Sequence, residues 1–155
     1  MRRVSATAPR GVIGVGVESP LILLVEDDPD SVTLLQRAFR KAGLTNALQV
    51  VEDGEQAVRY LSGQEPYADP ERHPLPVLVL LDLKLPRKSG FEVLAWLRRE
   101  PDLRHLPVVV LTSSREPSDI KRAYDLGANS YLVKPVAVDA LVDAVNTLAL
   151  RRSSA

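Results

Sequence analysis

The chain has 155 residues, with twenty Lys and Arg balanced by twenty Asp and Glu, two histidines and no cysteine. That length fits one domain of about 100–150 residues that needs no metal or disulfide staple, and the missing cysteine excludes disulfides, thiolate zinc sites and cysteine nucleophiles. The balanced charge gives no electrostatic reason to expect nucleic acid, no run approaches the ~18 apolar residues of a membrane span, and with no signal-peptide run at the start a cytoplasmic protein with no membrane partner is expected.

Residues 1–19 read as a disordered or loosely attached tail, in which Gly11, Gly14 and Gly16 alternate with Val12, Ile13, Val15 and Val17. Leu21 to Val25 has the length of a strand. Asp28-Pro29 then reads as a helix start, with Asp as cap and Pro at the first helical position. Val32, Leu35, Phe39 and Ala42 recur at helical spacing until Gly43 ends the run. Leu48 to Val51 is a second strand, and Gly54 to Leu61 a short helix with Ala57, Val58 and Leu61 inward. Residues 63–76 hold four prolines and no period, so they form a long loop, either functional or an insertion.

Val77 to Leu81 is apolar throughout, as suits a strand buried on both faces. Phe91 to Arg99 is helical and Pro101 closes it; Phe91 and Trp96 read as packing residues. Val108 to Leu111 is a buried strand, Asp119 to Leu126 a helix ended by Gly127, Ser130 to Val133 the last strand and Val138 to Leu150 the last helix. Residues 151–155 are left as a C-terminal tail, with Arg151 and Arg152 placed to interact with the negative end of that helix. Apolar strands alternating with helices predict an α/β fold with a parallel sheet covered on both faces. Five strands suit the flavodoxin-like, doubly wound order 2-1-3-4-5, whose ligand site lies at the carboxyl ends of the strands, between strands 1 and 3.

That rule can be applied to the residues themselves. Strand 1 ends in Glu26-Asp27-Asp28, strand 3 in Asp82, strand 4 in Thr112-Ser113 and strand 5 in Lys134-Pro135. Clustered carboxylates disfavour one another's ionisation unless a cation joins them. Oxygen ligands without His or Cys suit Mg²⁺. With a hydroxyl and an ammonium at the same edge, phosphoryl transfer is the fitting chemistry. A carboxylate can itself be the nucleophile and form an acyl phosphate; Asp82, on the central strand beside strand 1, is the best candidate. Asp28 reads as a helix cap, Ser113 or Ser114 as a cap of the following helix, and the Lys84 side chain as solvated. His73 and His105 receive no role.

On LLVEDD (23–28), LLDLKLPRKSG (80–90), VVLTSS (109–114) and YLVKP (131–135), residues 20–150 resemble the receiver domain of two-component response regulators. The resemblance implies that Asp82 is the phosphoacceptor. It implies that Glu26, Asp27 and Asp82 hold Mg²⁺ with the backbone carbonyl of Lys84, Asp27 more directly than Glu26. Thr112 and Lys134 would contact the phosphoryl group, and Thr112 and Tyr131 would form the switch. The Lys134–Pro135 bond would be cis. The long loop, DLKLPRKSG and YDLGANSY are similar to the single-domain subgroup that partners bacterial phytochrome kinases. A sensor histidine kinase, of phytochrome type by that likeness, and a downstream protein target or phosphotransfer protein would then be the partners. The chain ends soon after the last helix, so no DNA-binding output domain is expected.

A homodimer through the last two helices and strand 5 is also expected. The last helix carries an inward stripe of Val138, Leu141, Val142, Val145, Leu148 and Ala149, with Ala140, Ala144 and Leu150 off it and Tyr124 on the preceding helix as anchor. Two other functions compete. A Mg²⁺-dependent phosphatase with an aspartyl nucleophile would want a second Asp where Lys84 stands. A flavodoxin-like electron carrier would want a Gly, Ser or Thr-rich phosphate loop where Glu26-Asp27-Asp28 stand.

Overall fold

The structure, a computed structural model, describes residues 20–154, and the side chains of residues 20–149 within them. The expected N-terminal tail, 1–19, lies outside the described residues. Strands β1 (Ile22–Val25), β2 (Leu48–Val51), β3 (Leu78–Leu81), β4 (Val108–Thr112) and β5 (Ser130–Val133) alternate with helices α1 (Pro29–Lys41), α2 (Gly54–Ser62), α3 (Gly90–Arg99), α4 (Pro117–Asp125) and α5 (Val138–Ser154). The five strands form one parallel sheet in the order β2-β1-β3-β4-β5, as predicted.

Alternation along each strand feeds two cores, because successive side chains point to opposite faces. Leu23, Val25, Val79, Leu81, Val108 and Val110 pack on one face with Ala57, Leu61, Val93, Leu94, Leu97 and Ala123 from α2, α3 and α4. Ile22, Leu24, Leu78, Leu80, Val109 and Leu111 pack on the other with Leu35 and Phe39 of α1 and Leu141, Ala144, Val145 and Ala149 of α5. This double coverage is why β1 and β3 are apolar throughout and β4 is apolar up to Thr112 at its end.

Local signals set the helix starts. The Asp28 side chain accepts from the Asp30 amide and Pro29 opens α1. Asp53 caps α2 by accepting from the Gln56 amide at 2.8 Å. Ser89 and Glu92 form a reciprocal capping box at α3. Among the described residues no helix is long and apolar enough to cross a membrane.

Four expectations need correction. α4 begins at Pro117, not Asp119, because Pro117 takes the first helical position and the Glu116 carbonyl accepts from Asp119 and Ile120. On α2, Tyr60 is fully buried while Val58 is only half-buried, so the tyrosine holds the inward place given to the valine. On α5, Ala144 is buried, whereas Val138 and Val142 are only partly covered; the inward face follows Leu141, Ala144, Val145 and Ala149 at spacings of three and four. Finally, α5 runs to Ser154 instead of stopping at Leu150, since no Gly or Pro interrupts it and arginine is a good helix former.

The loop at 63–76 is not featureless. Tyr67 and His73 pack against Tyr60, with ring centroids 5.1 Å apart for Tyr60–Tyr67, 5.8 Å for Tyr60–His73 and 5.2 Å for Tyr67–His73. The Tyr60 hydroxyl donates to the Pro74 carbonyl at 2.7 Å. His73, given no role from sequence, is thus a packing residue that helps tie the loop to α2.

Candidate functional site

Strand register brings the site together. Val25 of β1 pairs with Leu81 of β3, so Glu26 and Asp82 leave the sheet side by side. Thr112 pairs with Val133, and the Lys134 amide donates to the Thr112 carbonyl at 2.9 Å, so the lysine follows at the same edge. Carboxylate oxygens of Glu26, Asp27 and Asp82 lie within 4.8 Å of one another. Glu26 and Asp82 are buried and Asp27 is exposed.

Lys134 is the internal counter-ion. Its Nζ donates to Glu26 Oε1 at 2.5 Å and to Asp82 Oδ2 at 3.2 Å, with Ser31 Oγ at 3.4 Å. Burial pushes the Glu26 carboxyl above its ordinary range, and the nearby Asp82 charge adds to this. The Lys134 hydrogen bond and the Asp28 amide offset only part of that rise. For Lys134, burial alone would lower the ammonium. The hydrogen bond to Glu26 and the charges of Asp82 and Glu26 outweigh it, so the net direction is upward. Both directions describe a carboxylate cluster short of positive charge. All-oxygen donors, two buried and one open to water, fit a hard divalent cation that keeps part of its hydration shell.

Asp82 is held from both sides. Its amide donates to the Val25 carbonyl at 3.2 Å, and the Lys84 amide donates to its Oδ1 at 3.3 Å. Gly90, at the start of α3, packs so closely that a Cβ there would stand 2.1 Å from the Asp82 carbonyl oxygen. The Lys84 side chain is exposed, as expected.

Thr112 is fully buried at the end of β4. The Ser114 amide approaches its hydroxyl at 3.4 Å. Tyr131 is half-buried on β5, and its hydroxyl donates to the Ser114 carbonyl at 3.0 Å. Ser114 is itself buried; its hydroxyl donates to Asp119 Oδ2 at 2.6 Å and accepts from the Glu116 amide. The β4–α4 loop therefore joins Thr112, Tyr131 and the first turn of α4. Ser114 and Asp119 were not picked out as a pair from sequence; a serine two residues past the strand-end threonine and an acid in the next helical turn were the available signal. The Lys134–Pro135 bond is cis, as expected, and so is Glu65–Pro66.

Beside the site lies a cavity of about 390 Å³, walled by Leu24, Leu35, Ala38, Leu111 and Val136, with Glu26 and Lys134 at one end. Leu34, 58% exposed, stands on its α1 rim.

The family model described as the response regulator receiver domain matches residues 22–146. A probable methanogenesis regulatory protein, FilR2 of Methanothrix harundinacea, is 43% identical over 121 residues, 78% of this chain and 76% of that protein. Response regulator Rcp1 of Synechocystis sp. is 42% identical over 114 residues, 74% of this chain and 76% of that protein. A crystal structure of the Mn²⁺-bound form of Rcp1 superposes with a TM-score of 0.71 over 83% of this chain and 92% of that one, at 37% identity. The bacteriophytochrome response regulator RtBRR superposes with a TM-score of 0.75 at 44% identity, over 84% of this chain and 78% of that one.

Proposed function

The chain belongs to the response regulator receiver family, and on that premise we propose that it takes a phosphoryl group onto Asp82 from a sensor histidine kinase of phytochrome type and signals by a change in protein contacts. The observation that carries this reading is the convergence of Glu26, Asp27 and Asp82 with Lys134 at the carboxyl edge of the sheet. The phytochrome assignment draws on the likeness to RtBRR, a bacteriophytochrome response regulator.

In the transfer step an Asp82 carboxylate oxygen attacks the phosphorus of a phosphohistidine. An O–P bond forms, the N–P bond breaks, and the imidazole leaves with the electron pair and takes a proton. The result is an acyl phosphate. Lys134 is placed to pair with a phosphoryl oxygen, and the Thr112 hydroxyl to donate to another once the side chain turns toward Asp82. Glu26, Asp27, Asp82 and the Lys84 carbonyl would hold a divalent cation, Mg²⁺ in our reading. Bound there, the cation neutralises charge on the phosphoryl oxygens. Hydrolysis returns the carboxylate and inorganic phosphate.

The donor protein must bring its histidine in line with Asp82. The apolar cavity lined by Leu34, Leu35 and Val136 adjoins that approach and offers the kinase or a phosphotransfer protein a docking surface. Output would run through the Thr112–Tyr131 switch to α4, β5 and α5, the face we assign to a homodimer or a downstream target. Tyr124 is exposed there, and Val138, Ala140 and Val142 are incompletely covered. A cytoplasmic site follows from the kinase that such a module must meet. The phosphatase alternative is not favoured, since Lys84 stands where its second Asp would be needed. The test is transfer from an autophosphorylated phytochrome-type histidine kinase. The label should move to this chain, and failure to receive it from any such kinase would contradict the partner assignment.

A further inference from the structure

The loop that follows Asp82 holds the one non-glycine residue with a positive φ among the described residues, Arg87 at 69°. The Lys88 amide donates to the Pro86 carbonyl at 2.7 Å around it. A hydrogen bond spanning three residues with a positive-φ centre is a γ-turn of the rare, strained kind. Strain of this sort persists only where the surroundings over-determine the conformation. Here the surroundings are visible. Arg87 Nε meets Asp53 Oδ2 at 3.3 Å. Next to Asp53, a Cβ on Gly54 would stand 2.0 Å from the Lys88 carbonyl oxygen, so the loop backbone rests directly on the first turn of α2. Asp53 is buried at 8% exposure and also caps α2 through Gln56.

The far end of α2 is braced in turn. Tyr60 packs against Tyr67 and His73 of the 63–76 loop and donates to the Pro74 carbonyl. The near end of the strained loop is the site itself: the Lys84 amide reaches Asp82 Oδ1, and the Gly90 amide donates to the Leu83 carbonyl at 2.9 Å. The chain of contacts therefore runs from the 63–76 loop through α2 and the Asp53–Arg87 pair to the segment carrying Lys84.

The geometry points to Asp53 and Arg87 as positioning residues for the cation site, with α2 and the 63–76 loop as their support. They touch neither cation nor phosphoryl group. Their work is to hold the strained turn against α2 so that the Lys84 carbonyl and Asp82 keep one fixed separation. A loop released from Asp53 can relax away from the left-handed conformation, and the ligand set then has to be reassembled on binding. This inference rests on the reading of Glu26, Asp27, Asp82 and Lys84 as cation ligands.

Isothermal titration of the full chain with MgCl₂ tests it. Arg87 is 64% exposed at the side chain, and exposed pairs of this kind couple weakly, so Arg87→Ala should lower Mg²⁺ affinity by about two- to five-fold. Arg87→Gly should lower it similarly, since the side chain is lost even though glycine accepts the positive φ. Arg87→Lys should restore most of the affinity. Asp53→Asn, which can still cap α2, should match Arg87→Ala, and the double variant should be no weaker than either single one. Thermal melts of each variant report the fold separately. Unchanged affinity in Arg87→Ala and Asp53→Asn, with binding abolished in Asp27→Ala, overturns the positioning role and leaves the ligand assignment standing. Undiminished binding in Asp27→Ala overturns the ligand assignment and this inference with it.

Discussion

Lys134 Nζ lies 3.2 Å from Asp82 Oδ2 across 52 residues of sequence, and the same ammonium donates to Glu26 at 2.5 Å. One lysine thus serves as the shared counter-ion of two buried carboxylates that arrive from different strands. Lys134→Met leaves them facing each other. In chelator-treated protein the substitution should cost about 1–3 kcal/mol, at the lower end because the lysine retains some contact with solvent. Saturating Mg²⁺ should recover much of the loss by binding the folded state. Urea unfolding in the two conditions measures both quantities; an equal loss with and without Mg²⁺ would contradict the shared-charge reading.

Thr112→Ala separates chemistry from signalling. The hydroxyl is buried beside Ser114, whose carbonyl receives the Tyr131 hydroxyl. Removing it should leave Asp82 able to accept a phosphoryl group. It should also erase most of the phosphorylation-dependent change in partner affinity, a coupling of about 1–3 kcal/mol in such switches. Titration of a partner with phosphorylated and unphosphorylated variant checks this; retained coupling would move the switch elsewhere.

Leu34 is a large apolar side chain left 58% exposed on the rim of the cavity that adjoins Lys134. Leu34→Asp should slow transfer from a histidine kinase about ten-fold, the effect of losing one apolar anchor worth ~1–2 kcal/mol. Phosphorylation by acetyl phosphate, which needs no docking, should stay unchanged. Equal effects on both donors would place Leu34 in the fold rather than in recognition.

For self-association, Tyr124 is the exposed aromatic on α4, 47% exposed. If the α4–β5–α5 face pairs two copies, sedimentation should show a dimer at micromolar concentration, and Tyr124→Glu should return it to monomer. A strict monomer for the parent chain in both phosphorylation states would remove the dimer from the account.

Much of the fold was legible because β1, β3 and the first four residues of β4 are buried on both faces and are apolar throughout. Asp28-Pro29 marked α1 for the same reason that it forms it. The acidic pair, Asp82, Thr112 and Lys134 were legible because the carboxyl ends of parallel strands are where such groups must converge. Less could be read where a tertiary contact decides. Pro117 marks the start of α4 as clearly as Pro29 marks α1, although the expected helix begins at Asp119. Tyr60 is missing from the expected inward set of Ala57, Val58 and Leu61, because the 63–76 loop that packs on it is a tertiary contact. Ala144 is small enough to fit either face of α5, so periodicity did not fix its side. The Asp53–Arg87 pair joins residues far apart in sequence and in different loops, and neither residue type announces the other.

The central claim is that Asp82 is the phosphoacceptor in a cation-dependent site. Intact-mass measurement after incubation with acetyl phosphate tests it most directly. With Mg²⁺ the chain should gain the mass of one phosphoryl group; with chelator, or in Asp82→Asn, it should gain none. An Asp82→Asn variant that still gains one phosphoryl group in Mg²⁺, or a parent chain that gains it equally well in chelator, would contradict the account.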